Sequence, residues 1–156
     1  MSETVIQVTS LGKLIKGKTI LEDISFEINQ GDCVALIGPN GAGKTVLMSC
    51  ILGDKKPSSG QVLIDGKAGK AKNKIAVLLQ ENTIPNSLKV EELIAFFQSI
   101  SDNPLTNQEV QKLLQFKEDQ YQQFADKLSG GQRRLLAFVL CLIDKPKILF
   151  LDEPTA

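Results

Sequence analysis

The run Cys33-Val34-Ala35-Leu36-Ile37, followed by Gly38-Pro39-Asn40-Gly41-Ala42-Gly43-Lys44-Thr45, decides the fold. A continuously apolar stretch predicts a strand over residues 33–38 that is covered on both faces, the environment of a central parallel strand. The residues after it match GxxxxGK followed by Ser or Thr, the pattern of a loop that cradles phosphate. Glycines let the backbone curl so that several N–H groups converge on anionic oxygens. A helix predicted over 43–52 adds the positive end of its dipole. In such a loop Lys44 can reach the β- and γ-phosphates and the Thr45 hydroxyl can ligate Mg²⁺. By residue frequencies, a chance match in a chain of this length is on the order of one in a few hundred.

Outward from this loop, short apolar runs alternate with helical periodicity, the pattern of an α/β chain. Strands are predicted at 5–8, 20–28, 61–65, 75–80 and 148–152. In the 20–28 strand, Ile24, Phe26 and Ile28 fall on one face and Ser25 and Glu27 on the other, which predicts a half-buried antiparallel strand. Helices are predicted at 89–100, 107–116 and 130–143. Gly53 supplies a left-handed residue after the first helix. Thr106 with Glu109, and Ser129 with Gln132, fit capping boxes, and Pro146 stops the last helix.

Two further motifs carry chemistry. Ile148-Leu149-Phe150-Leu151-Asp152-Glu153-Pro154 is an apolar strand ending in two carboxylates. Asp152 then sits at the carboxyl edge of the sheet, where open α/β folds bind ligands. It is placed to hold Mg²⁺ through a water, with Glu153 orienting or deprotonating the attacking water. Leu128-Ser129-Gly130-Gly131-Gln132 reads locally as a capped helix start whose free N–H groups attract anions.

Phosphate loop, LSGGQ and a strand ending in Asp-Glu-Pro, in this order, resemble the nucleotide-binding domain of ABC transporters over essentially the whole chain. The resemblance implies a P-loop core with a mostly parallel sheet, an antiparallel β portion near the N-terminus and an inserted helical lobe. The chain is expected to form one domain over 1–156, with its core at about 3–82 and 129–156 and the lobe at about 83–128. It further implies that two such domains pair head to tail, so that Ser129, Gly130, Gly131 and Gln132 of one close on the γ-phosphate held by the other. Gln80 falls at the family's glutamine that contacts Mg²⁺ or the lytic water, and Ile15 at the position that stacks on adenine. The family commonly has an aromatic residue there; Ile15 offers area but no π-face. Where a second hydroxyl residue is common after Thr45, this chain has Val46.

The resemblance implies an ATPase that uses ATP and Mg²⁺ and energises a transmembrane permease, with a bacterial exporter expected and a soluble, non-transport ABC ATPase as the alternative. The family continues past this point into a further core strand and a switch histidine. This sequence holds no His, so a C-terminally truncated domain is expected, one that binds ATP with little hydrolysis.

Composition agrees with this class. Apolar residues at 42% and charged residues at 23% argue for a folded core. Lys plus Arg equals Asp plus Glu at 18 each, so no basic excess points to nucleic acid. Met1-Ser2-Glu3-Thr4 lacks the basic and apolar regions of a secretory signal. A cytoplasmic protein, held at the inner face of the membrane through its permease, is expected. Cys33, Cys50 and Cys141 lie apart among apolar neighbours, without metal-binding spacing, and are expected as buried thiols.

Overall fold

The computed structural model describes residues 3–68, 75–78 and 84–152. The chain divides into two compact units, residues 1–72 and 73–156.

The first unit is built on a long hairpin. Strand β1 (Thr4–Ile15) pairs antiparallel with β2 (Lys18–Asn29), and on its other edge with β3 (Ser59–Ile64), which turns into the short β4 (Lys67–Ala68). The sheet order is β2-β1-β3-β4. Ile28, Phe26 and Ile24 pair with Ile6, Val8 and Leu11. Ile24, Phe26 and Ile28 of β2 are half-buried while Ser25 and Glu27 are exposed. The antiparallel portion at the N-terminus and the alternation along β2 are as expected. Register shifts between Val8 and Lys13 mark bulges that let β1 run on to Ile15. Helix α1 (Lys44–Ile51) adds Leu47, Cys50 and Ile51 to a core that includes Ile6, Val8, Leu11, Leu21 and Ile64. Leu52 caps it, and Gly53 follows at φ 78 in the left-handed region.

The expected strand at 33–38 is a correction. The segment has no ladder partner among the described residues, and Val34, Leu36 and Ile37 are 61%, 47% and 90% exposed. A run apolar on both faces becomes a strand only when neighbours bond its edges and cover its faces. None of the described strands does so. For the same reason Cys33 is exposed, against expectation, whereas Cys50 is buried. Burial raises the thiol pKa of Cys50 against the opposing pull of Lys13 and Lys55, and raises that of Cys141.

The second unit joins a parallel pair to a helical cluster. Strand β5 (Ile75–Leu78) pairs in parallel with β6 (Ile148–Leu151), Val77 opposite Phe150. The helices are α2 (Val90–Ser99), α3 (Asn107–Leu114), α4 (Glu118–Tyr121) and α5 (Gly130–Leu142), with a 3₁₀ turn at Ala125–Lys127. Val90, Leu93 and Ile94 of α2 meet Val110 and Leu114 of α3 and Leu136, Val139 and Leu140 of α5 in one apolar cluster that also takes in Leu78. Each such side chain contributes roughly 1.5–3 kcal/mol on full burial. The caps are as expected. The Thr106 hydroxyl accepts from the Glu109 N–H at 3.3 Å, and the Glu109 carboxylate accepts from the Thr106 N–H at 2.8 Å. Donation to the Glu109 carboxylate from the Thr106 N–H, and from the Thr106 hydroxyl at 3.0 Å, holds that carboxyl below its ordinary pKa. At α2 only half of such a box forms, because the Lys89 N–H donates to Glu92 at 2.8 Å while an ammonium cannot accept.

Candidate functional site

The first site lies where residues 38–45 turn from the apolar run into α1. Gly43 stands at φ 91, and a Cβ there would sit 3.0 Å from Leu21 Cδ2 and 3.2 Å from the Ile20 carbonyl oxygen of β2. Both the left-handed backbone and the close approach exclude a larger residue. The Lys44 ammonium donates to the Gly38 carbonyl at 2.6 Å and to the Pro39 carbonyl at 2.9 Å. The Ala42 N–H donates to Pro39 O at 3.2 Å. The loop is thus closed on itself around the cation that would meet a ligand.

The first helical bond of α1 runs from the Leu47 N–H to Gly43 O at 2.8 Å. Geometry leaves the N–H groups of Lys44, Thr45 and Val46 without an intrahelical acceptor. Three donors and a helix dipole at an exposed loop make an anion site. Pro39, Asn40, Gly41, Ala42 and Thr45 are exposed, and Gly38, Gly43 and Lys44 half-buried. Ile15 ends β1 opposite Lys18, two residues along β2 from Ile20, and is half-buried. The hairpin tip therefore lies near the loop without covering it.

The second unit holds the other predicted residues. Asp152 follows β6, and its N–H donates to the Leu78 carbonyl at the end of β5 at 2.9 Å, which fixes its backbone at the carboxyl edge of this parallel pair. Gln80 and Glu153 lie outside the described residues. Ser129 caps α5. Its hydroxyl accepts from the Gln132 N–H at 3.3 Å, and its own N–H donates to Gln132 Oε1 at 3.0 Å. Gly130 and Gly131 are exposed, and a Cβ on either would meet nothing within 4 Å. Neither has positive φ. Packing within the chain therefore gives no reason for glycine here, although glycine weakens a helix.

A sequence profile of the ABC transporter family matches residues 21–156. The chain belongs to that family. This ABC chain is 35% identical to the methionine import ATP-binding protein MetN of Legionella pneumophila (strain Paris), over 97% of its own length and 48% of the relative's. It is 33% identical to the spermidine/putrescine import ATP-binding protein PotA of Spiroplasma citri, over 100% and 47%. Identity is also 33% to the phosphonates import ATP-binding protein PhnC of Wolinella succinogenes, over 97% and 63%. The chain spans about half the length of the first two. Among solved structures it resembles the ADP conformation of MJ1267, an ATP-binding cassette of an ABC transporter, with TM-score 0.80 and 24% identity over 98% of this chain and 70% of that one. A dimeric post-hydrolysis cassette, MJ0796 bound to ADP and Pi, gives TM-score 0.75 at 22% identity over 96% and 74%. At such identities these structures establish the fold: the P-loop cassette with mixed α/β content. The comparisons do not support the expectation of an exporter: these relatives are named as import proteins.

The sequence did not reveal the partners that Lys44 takes in the loop, since backbone carbonyls carry no side-chain signal. It also missed α4 and the shape of the helical cluster around it.

Proposed function

We propose that this ABC chain binds ATP with Mg²⁺ at residues 38–45 and hydrolyses it in a head-to-tail pair to energise a membrane importer. The observation that carries the reading is the self-closed loop, with Lys44 on the Gly38 and Pro39 carbonyls beside the unmatched N–H groups of α1. An ammonium has three donors. Two are engaged, so an incoming phosphate takes the third and competes for the others.

The residues fit Mg²⁺. Among the described residues no cluster of acids, thiols or imidazoles makes a metal site by itself. One hydroxyl and one carboxylate suit an ion that keeps waters and phosphate oxygens as its remaining ligands. Thr45, Asp152 and Gln80 would hold it, and it would neutralise charge between the β- and γ-phosphates. Glu153 serves as base for the attacking water, and Ile15 packs against adenine.

Ser129, Gly130, Gly131 and Gln132 act on nucleotide held by a second chain. The open space at both glycines supports this, since close approach of another molecule is a reason for glycine that the chain itself does not supply. The relatives' names support a transporter over a soluble, non-transport ABC ATPase, and import over export. They differ in cargo, so none is proposed. Among the described residues no helix is long and apolar enough to cross a membrane. The membrane link is assigned to a permease bound by the helical part of the second unit, which would hold the chain at the cytoplasmic face.

Titration with a fluorescent ATP analogue tests the nucleotide site. Lys44→Ala removes charged hydrogen bonds worth roughly 1.5–3 kcal/mol, about ten- to a hundredfold in affinity. AMP, which lacks the β- and γ-phosphates, should lose far less. Equal affinity of variant and parent for ATP would remove the phosphate-loop assignment.

A further inference from the structure

In the first unit, the tip of the β1–β2 hairpin and the loop after α1 carry a concentration of positive charge. Residues 13–18 read Lys-Leu-Ile-Lys-Gly-Lys, and residues 54–58 read Asp-Lys-Lys-Pro-Ser. Together they hold five lysines and one acid, in a chain whose Lys plus Arg equals its Asp plus Glu at 18 each. Hydrogen bonds stitch the loop to β1. Lys13 Nζ donates to the Lys56 carbonyl at 2.6 Å, the Leu14 N–H to Ser58 Oγ at 3.0 Å, and the Ser58 N–H to the Gly12 carbonyl at 2.8 Å. Burial raises the Cys50 thiol pKa, and the charges of Lys13 and Lys55 both oppose it, so both reach the end of α1. Lys16, Lys18, Lys55 and Lys56 are exposed.

The fold itself does not ask for this charge. Ile15 pairs with Lys18 across a tight turn in which Lys16 stands at φ 49 and Gly17 at φ 77. Such a turn favours Asn, Asp or Gly at its first position, so lysine there serves something other than the turn. Ammonium groups on adjoining loops also repel one another. Among them Leu14 is 53% exposed. Exposed lysines around an apolar side chain suit a surface that offers both phosphate and acyl chain. Neither stretch holds an aromatic residue, so the stacking platform that single-stranded nucleic acid uses is missing. Resting on the transporter reading above, which holds the chain beside a membrane, we propose that this patch binds the anionic phospholipid headgroups of the bilayer. Lys16, Lys18, Lys55 and Lys56 meet the phosphates, and Leu14 enters the interface.

The test titrates the full chain, without nucleotide, against two kinds of vesicle and reads binding by co-sedimentation. One kind holds phosphatidylglycerol and phosphatidylcholine in equal parts, and the other phosphatidylcholine alone. The anionic vesicles should bind at least about tenfold more tightly, and binding should fall as salt is raised. A lysine near an anionic bilayer is worth roughly fivefold in partition, so Lys16→Gln with Lys18→Gln, and separately Lys55→Gln with Lys56→Gln, should each weaken binding about five- to thirtyfold. Lys13 is left in place because it holds the loop. Leu14→Ser should weaken binding about four- to tenfold without changing charge; the bond to Ser58 is made by the backbone N–H and survives. Inorganic phosphate at matched ionic strength should displace nothing. Circular dichroism and thermal melting establish that each variant is folded, and each is also titrated with the ATP analogue in solution.

Equal binding to the two kinds of vesicle overturns the proposal, as does indifference to either lysine pair or to Leu14→Ser. Displacement by inorganic phosphate would make the patch a site for the free anion and overturn it too. Lysine substitutions that weaken ATP-analogue binding but not vesicle binding would assign the patch to the nucleotide and have the same consequence. Failure on vesicles with intact, Lys44-dependent nucleotide binding removes the lipid inference alone. Loss of Lys44 dependence removes the nucleotide reading instead.

Discussion

Replacing Gly130 or Gly131 with alanine should make this chain more stable and less functional. Both residues open α5 with negative φ, and both have open space where a Cβ would stand. Alanine therefore meets no steric penalty within the chain. It removes backbone freedom from the unfolded state, a gain of about 0.4–1 kcal/mol at a compatible site, with the lower end expected so near a helix start. For a chain of this size one kcal/mol shifts Tm by roughly 2–4 °C, so each substitution should raise the melting temperature by about 1–4 °C. The Ser129 cap and its reciprocal bond with Gln132 are untouched.

The opposite effect is expected in association. If these glycines exist so that another molecule can approach the α5 terminus, one methyl obstructs it. ATP-driven self-association, followed by sedimentation velocity, should fall in both variants, while affinity of the isolated chain for the ATP analogue stays at the parent value. A lowered Tm would show that the chain needs glycine for its own packing. Unchanged association would show that nothing closes on this helix end. Either result refutes the reasoning.

Gly43→Ala should behave in the reverse sense: left-handed φ costs about 1–2 kcal/mol for a residue with a Cβ, contacts with Leu21 and Ile20 add to that, and both Tm and ATP affinity should drop. Ile15→Tyr should tighten ATP relative to GTP in a competition titration, because it adds a stacking face at the hairpin tip; unchanged competition would mean that adenine does not sit there. Thr106→Ala removes the hydroxyl that caps α3 and should cost roughly 0.5–2 kcal/mol by chemical denaturation, with nucleotide affinity unaltered.

Local chemistry was legible in the sequence. The turn into α1, α1 itself and the boxes at Thr106 and Ser129 depend on residues within a few positions of one another, and these elements stand where expected. Helices α2, α3 and α5 were legible because their apolar residues recur at helical spacing and meet in one cluster. The segment at 33–38 was misread because its apolarity states what it needs, not what it obtains. Pairing is a property of distant residues, and none of the described strands supplies it. Strand β4 and helix α4 are too short to show a period.

The features most informative about function are those that the chain leaves unmet. The first N–H groups of α1 lack intrahelical acceptors, and the Lys44 ammonium is held in the same loop, an arrangement that favours an anion there. Gly130 and Gly131 carry no obvious charge preference of their own, but their openness calls for something that must come close.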